Sequence, residues 1–158
     1  YGGPEDKASH ARFFPRSKTP QSHRARLMFG PVGTAYIYQV YGIHFCLNVV
    51  AHSENQAGAV LIRSLLPFGE LKNYNCQGPA RLTKAMQIDL QQNGTSMISH
   101  ECTDLFLTYN LETVDKTQIK RTARIGVGYA EEDVALPLRF LINITVCSDA
   151  RQLLIANR

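Results

Sequence analysis

The rhythm of apolar and polar side chains changes at Thr34. Before it, residues 1–33 are rich in Gly, Pro, Ser and basic side chains, and Gly2-Gly3-Pro4, Pro15, Thr19-Pro20 and Gly30-Pro31 interrupt any helical or strand period. This is a long loop, ordered or disordered, and ordered loops of such length usually carry function. After it, residues 35–41 and 43–51 are dominated by aromatic and β-branched side chains on either side of Gly42, which predicts two strands joined at a tight turn. Residues 59–66 predict a third, mostly buried strand interrupted by a single charge, Arg63. Gly78-Pro79 opens a predicted helix reaching Asp89, because proline suits the first helical turn and Leu82, Ala85, Met86 and Leu90 recur at helical spacing. Asn93-Gly94 marks a turn, residues 105–109 a short strand, 124–128 a segment kept open by glycines, and 138–146 a last strand. With no repeat and no linker, the pattern predicts one α+β domain over residues 1–158, built on a largely antiparallel sheet.

Composition agrees with a folded chain: 158 residues with 44% apolar and 19% charged side chains can bury a real core. No window approaches the roughly 18 apolar residues of a membrane span, and the N-terminus is polar, so a soluble, non-secreted protein is expected. Cys46, Cys76, Cys102 and Cys147 are widely separated and form no zinc-type cluster, which predicts reduced structural thiols and no metal. Asn93-Gly94-Thr95 and Asn143-Ile144-Thr145 match the glycosylation pattern, but nothing else here supports a secretory route.

Charge changes the picture once it is located. The net charge is +4, and residues 1–26 hold Lys7, Arg12, Arg16, Lys18, Arg24 and Arg26 against Glu5 and Asp6, while acids and bases cancel over the remainder. An excess gathered in one segment suits a polyanion such as a nucleic acid backbone. On charge alone, a solvated basic arm fits equally well.

Three constellations can carry chemistry. Tyr36, Tyr38 and Tyr41 lie close together; in a strand the first two share a face, and a tyrosine beside the hairpin glycine is too exposed for the core. Exposed aromatics near a basic segment can stack on bases or wedge into a duplex, although strands favour tyrosine for packing alone. Arg63, alone in an apolar strand, must be paired or must face a cleft, with a carboxylate or phosphate as its partner. Gly126 and Gly128 flank Val127, so a main-chain group there could approach a ligand closely; the full phosphate-loop pattern is lacking.

In order and approximate spacing, Tyr1-Gly2-Gly3-Pro4-Glu5-Asp6, Ala8, His10, Thr19-Pro20, Met28-Phe29, Gly33-Thr34, Tyr36-Ile37-Tyr38 and Tyr41-Gly42 resemble the alkyladenine (3-methyladenine) DNA glycosylases. So do Phe45-Cys46-Leu47-Asn48-Val49, Val60-Leu61-Ile62-Arg63, Gly78-Pro79, Arg124-Ile125-Gly126-Val127-Gly128 and Pro137-Leu138-Arg139-Phe140. The resemblance implies an α+β fold with a curved antiparallel sheet, a protruding hairpin and flanking helices. It implies base excision repair: a damaged purine is flipped from duplex DNA, because its target atom is inaccessible in the stack, and its N-glycosidic bond is hydrolysed.

By the same resemblance Tyr41 enters the duplex, and Tyr1, His10 and Tyr38 sandwich the flipped base. His10 and the backbone near Ala8 add hydrogen bonds at its edge, Asn48 disfavours guanine through its exocyclic amine, and Leu61 walls the pocket. Arg63 and the Val127 carbonyl orient the attacking water, and Lys18, Thr19, Met28 and Arg81 contact the DNA backbone. The expected substrates are 3-methyladenine, 7-methylguanine, hypoxanthine and ethenoadenine in damaged double-stranded DNA. No cofactor, no metal and no membrane are implied, and a monomer is expected, in a bacterial cytoplasm at the nucleoid or in a eukaryotic nucleus. The family's catalytic glutamate matches two positions ahead of Tyr1, so a chain truncated past its N-terminal strand, helix and general base is the expectation. Residues 11–26 are longer than the family's usual link, and residues 141–158 no longer match it. The alternatives are a noncatalytic DNA or lesion-binding protein and, further off, an RNA-binding protein or a formyltransferase-like subdomain.

Overall fold

The structure is a computed structural model that describes residues 1, 3, 5–13, 23–52, 56–98, 104–108 and 116–142. The chain forms two compact units, Tyr1–Leu107 and Thr108–Arg158. Its secondary structure is α+β with antiparallel sheets, as the pattern predicted.

In the first unit, β1 (Ala35–Val40), β2 (His44–Val50) and β3 (Ala59–Leu61) form an antiparallel sheet in that order. Period-two alternation gives this sheet two unlike faces. One face sends Ala35, Ile37 and Leu47 against Leu82 and Ala85 of the helix α1 (Pro79–Ala85), with Cys76, Ile88, Met97 and Leu105 closing that core. The other sends Tyr36, Val50 and Ala59 against Ala11, Ala25, Met28 and Phe29 of the N-terminal segment. Residues that looked like an irregular arm therefore form one wall of the domain. Within that wall the described residues make two 3-10 helices, His10–Phe13 and Arg24–Phe29.

Backbone anchors tie the wall to the sheet. Gly58 N–H donates to the Met28 carbonyl at 3.2 Å, and Ala51 N–H to the Gly58 carbonyl at 3.1 Å. A side chain at Gly58 would lie 2.3 Å from the Ala51 carbonyl oxygen, so only glycine permits this approach.

Several boundaries differ from the pattern. α1 ends at Ala85 rather than Asp89, because Gln87 takes a positive φ of 55° and Asp89 instead starts a capping box, accepting from Gln91 N–H at 2.7 Å while Gln92 Oε1 accepts from Asp89 N–H at 2.9 Å. Leu90, beyond that cap, is consequently exposed. The third strand is shorter because after the Ile62 N–H to Leu47 bond the chain changes partner, bridging Ser64 to Gln77 and giving the Arg63 carbonyl to Gly78 N–H at 2.9 Å. Residues 104–108 form no strand; Leu105 packs into the core and Leu107 N–H donates to Met97. Tyr109, the far end of that predicted strand, lies outside the described residues.

The second unit contains the antiparallel pair β4 (Ile119–Thr122) and β5 (Arg139–Ile142), with a 3-10 helix Glu131–Ala135 in their connection. β5 falls inside the predicted last strand, whose residues 143–146 lie outside the described ones, whereas β4 was not anticipated. No described helix is long and apolar enough to cross a membrane.

Candidate functional site

The face of the sheet turned toward the N-terminal segment carries a cluster of rings and polar groups. Pairing sets Tyr36 opposite Asn48 and Tyr38 opposite Cys46, and Asn48 opposite Leu61. Directly opposed residues project to the same side. One row is therefore Tyr36, Asn48, Leu61; in the next, alternation beyond Leu61 brings Arg63 toward Cys46 and Tyr38. Burial pushes the Cys46 thiol up, against a hydrogen bond from Tyr38 and the nearby charge of Arg63.

His10 reaches this face from the turn that begins with it. Its Nδ1 lies 2.6 Å from the Tyr36 hydroxyl. The imidazole stacks on Tyr1 with centroids 5.8 Å apart, and meets Tyr38 edge-on at 4.7 Å. The Tyr1 and Tyr38 hydroxyls are 3.1 Å apart, and the Tyr1 backbone nitrogen donates to the Ala59 carbonyl at 2.9 Å. Tyr1, His10 and Tyr38, far apart in sequence, thus form one ring cluster, and Tyr36 completes it at 5.5 Å from Tyr38.

On the same face, opposite Tyr36, Asn48 is fully buried. Its Nδ2 donates to the Tyr36 carbonyl at 2.9 Å and to the Cys46 carbonyl at 3.3 Å, but its Oδ1 has no hydrogen-bond partner among the described residues. A buried amide oxygen left this way costs about 1–3 kcal/mol.

The site is electrically uneven. Burial, aided by Arg24, Arg12 and His23, lowers the His10 pKa from 6.5 to about 4, so the imidazole is neutral at pH 7. Burial raises the Tyr36 and Tyr38 phenols, which stay protonated. Arg24 stands over the Tyr38 ring, 5.4 Å from its centroid. Neutral rings edged by cations can hold a flat π-system beside a phosphate.

At the opposite end of β1 the hairpin tip projects Tyr41, which is 89% exposed. Its φ of 53° and the 70° of Gly42 are both positive, as in the turns that suit the twist of two-residue hairpins. Ile43 N–H closes the turn on the Val40 carbonyl at 3.3 Å, and Gln39 Nε2 braces the Gly42 carbonyl at 2.6 Å. Positive φ is costly for a large side chain.

The remaining expected residues are placed as follows. Ala8 is buried and its amide donates to Asp6 Oδ1 at 2.9 Å, so that amide is already committed. Met28 is entirely buried in the N-terminal core, and its carbonyl accepts from Gly58 N–H at 3.2 Å. Arg81 is exposed on α1 and donates to the Gln77 carbonyl at 3.4 Å. Lys18 and Thr19 lie outside the described residues. Val127 belongs to the second unit, where its carbonyl accepts from Ala130 N–H at 2.9 Å. Gly126 beside it has φ 80°, and a side chain at Gly126 or Gly128 would meet no atom within 4 Å, so a turn rather than a close approach explains the glycine at 126.

From sequence Tyr36 was singled out only as one of the three clustered tyrosines, without a place in the pocket, and Cys46 and Arg24 were given no role in it. Alternation already set Tyr36 on the face of Tyr38, and was the available signal. Cys46 needed the register, and Arg24 needed the fold of the N-terminal segment.

Rings, a neutral imidazole and neighbouring cations can hold a flat, aromatic ligand that carries negative charge beside it. The family model described as methylpurine-DNA glycosylase (MPG) matches residues 1–145. A Legionella pneumophila (strain Lens) protein named "Putative 3-methyladenine DNA glycosylase" is 39% identical over 142 residues, covering 90% of this chain and 72% of that protein. A protein of the same name from Francisella tularensis subsp. tularensis (strain WY96-3418) is 32% identical over 137 residues, covering 80% of this chain and 69% of its own. The chain belongs to the methylpurine-DNA glycosylase family, a class of DNA glycosylases that acts in base excision repair.

Proposed function

We propose that this protein draws an alkylated or deaminated purine out of duplex DNA, encloses it among Tyr1, His10 and Tyr38, and takes part in hydrolysing its N-glycosidic bond to leave an abasic site. The observation that carries this reading is the convergence of those three rings over Asn48, whose buried Oδ1 awaits a partner. Tyr41 is the wedge: its exposure and its fixed turn suit a side chain that fills the space of the extruded nucleotide. The π faces favour 3-methyladenine and 7-methylguanine, which are cationic, and flat stacking also accepts hypoxanthine and ethenoadenine.

Enclosing a ring between two others takes roughly 7 Å from ring to ring, against the 5.8 Å between Tyr1 and His10, so entry parts them by about 1 Å. The contact between the Tyr1 and Tyr38 hydroxyls yields at the same time. Asn48 then faces the base edge and disfavours guanine through its exocyclic amine. For hydrolysis, water attacks C1′ while the bond to the purine breaks; the base leaves with the bonding electrons, and a carboxylate takes the water's proton. Arg63 holds that water and the damaged nucleotide. The carboxylate is the glutamate expected two positions ahead of Tyr1. The protein acts as a monomer on damaged duplex DNA, at the nucleoid of a bacterial cell.

The test is base release from a duplex carrying one hypoxanthine, by this 158-residue chain and by the same chain extended upstream through the expected glutamate. Release only by the extended chain is the expected result. Inactivity of both, with lesion binding retained, would replace catalysis by lesion recognition. Arg63→Ala in the extended chain should abolish release while sparing nonspecific binding; unchanged release would remove Arg63 from the site.

A further inference from the structure

The Tyr36 hydroxyl has one hydrogen-bond partner among the described residues, His10 Nδ1 at 2.6 Å. Tyr36 is fully buried. A buried phenol O–H without an acceptor costs a large part of its desolvation, whereas a phenol oxygen that accepts nothing costs much less. If Nδ1 carried the imidazole proton it would donate to Tyr36, and the phenol proton would have nowhere to go. The arrangement that satisfies both groups has Tyr36 donating to Nδ1, which leaves the single proton of the neutral imidazole on Nε2.

Nε2 lies across the ring from Tyr36. It has no hydrogen-bond partner among the described residues and is not sealed from solvent, since it is absent from the buried, unsatisfied atoms of the structure. We infer that Tyr36 is a positioning residue: it locks His10 as an Nε2–H donor that offers its proton to a hydrogen-bond acceptor on the extruded nucleotide. This rests on the reading of the ring cluster as the base pocket. It deepens that reading, because the imidazole then meets the nucleotide with a fixed donor. Tyr36 acts only through His10 and touches no reacting atom.

Two measurements test it. Long-range proton–nitrogen NMR of the imidazole should show the Nε2–H form in the unaltered protein, and Tyr36→Phe, which deletes only the hydroxyl, should admit the Nδ1–H form. An Nδ1–H imidazole in the unaltered protein would overturn the assignment whatever the pocket binds. In the second, affinity for a hypoxanthine duplex is measured in a double-mutant cycle with His10→Gln, whose amide donor has no tautomer to set. Tyr36→Phe should weaken binding roughly three- to tenfold while His10 is present, the size of one lost hydrogen bond, and leave it unchanged in the His10→Gln background. Equal losses in both backgrounds would make Tyr36 a packing residue and overturn the inference. Failure of the unaltered protein to prefer the hypoxanthine duplex over an undamaged one would instead defeat the base-pocket reading, with the NMR result still deciding the tautomer.

Discussion

The two faces of the β1–β3 sheet share the same strands and differ in almost everything else. Toward α1, Ala35, Ile37 and Leu47 meet Leu82, Ala85 and Ile88 in an apolar core. Toward the N-terminal segment, the same strands present two phenols, a thiol and an amide with an unused oxygen, against a histidine held neutral by burial and nearby cations. One face keeps every local rule, and the other breaks several. Consistency across levels is the normal condition of a stable fold, so departures concentrated on one face are what a ligand-binding surface would show. Substitutions on the first face should therefore change stability and spare recognition, and those on the second should do the reverse.

The largest effect belongs to the apolar face. Leu82 is 0% exposed, and Leu82→Ala removes its contacts and leaves a cavity, at about 2–5 kcal/mol. Urea unfolding should show the loss as a lower midpoint with unchanged slope. Lesion preference, measured as the ratio of hypoxanthine to undamaged duplex affinity, should stay the same at temperatures where the variant is folded. A changed ratio would mean that the two faces are coupled.

His10 gives the ring face its own pH dependence. Its folded pKa of about 4 lies below the ordinary 6.5, so the unfolded chain binds the proton more readily. The stability it contributes is present above about pH 6.5 and is lost as pH falls toward 4, where protonating the buried ring opposes the fold. Carboxylates titrate in the same window, so the measurement is the difference between the unaltered protein and His10→Gln in thermal midpoint at pH 7 and pH 4.5. The unaltered protein should lose more. Arg24→Gln, removing the largest charge acting on His10, should raise its NMR-measured pKa; no movement would place Arg24 elsewhere.

How much of this was legible beforehand follows from how local each signal is. The hairpin and the start of α1 were readable because Gly42, Gly78 and Pro79 impose backbone geometry on their own positions. The end of α1 was not, since Asp89 looks like the close of an apolar stripe until its side chain is seen capping the next turn. Arg24–Phe29 has no period to read; Met28 and Phe29 are buried because the sheet is there to cover them. Tyr36 had the right face in sequence and acquired its role only when His10 arrived from 26 positions away. Tyr1, His10 and Tyr38 were nameable through resemblance, whereas their order across the strands, and the hydrogen bonds that orient them, required the register.

Asn48 separates stability from recognition more finely. Asn48→Leu removes two hydrogen bonds to main-chain carbonyls, and with them the unsatisfied Oδ1, so the gain and the loss nearly offset and stability should change by less than about 1.5 kcal/mol. Selectivity should change more. Affinity for hypoxanthine relative to normal guanine should fall, and an unaltered ratio alongside a large loss of stability would make Asn48 a structural amide only.

The smallest effect on stability, and the sharpest contrast with Leu82, is expected at Tyr41. Its side chain is exposed and touches little, while its backbone is held at a φ of 53° that glycine adopts without penalty. Tyr41→Gly removes the steric strain but gives the unfolded chain more freedom, and the two act in opposite directions. The net change should be within about 1 kcal/mol of zero. Binding to a lesion duplex should weaken much more than binding to an abasic-like single strand, because only the duplex needs its extruded base replaced. Equal losses on the two would deny Tyr41 the wedge role, and a large fall in stability would show that the hairpin tip belongs to the fold rather than to its ligand.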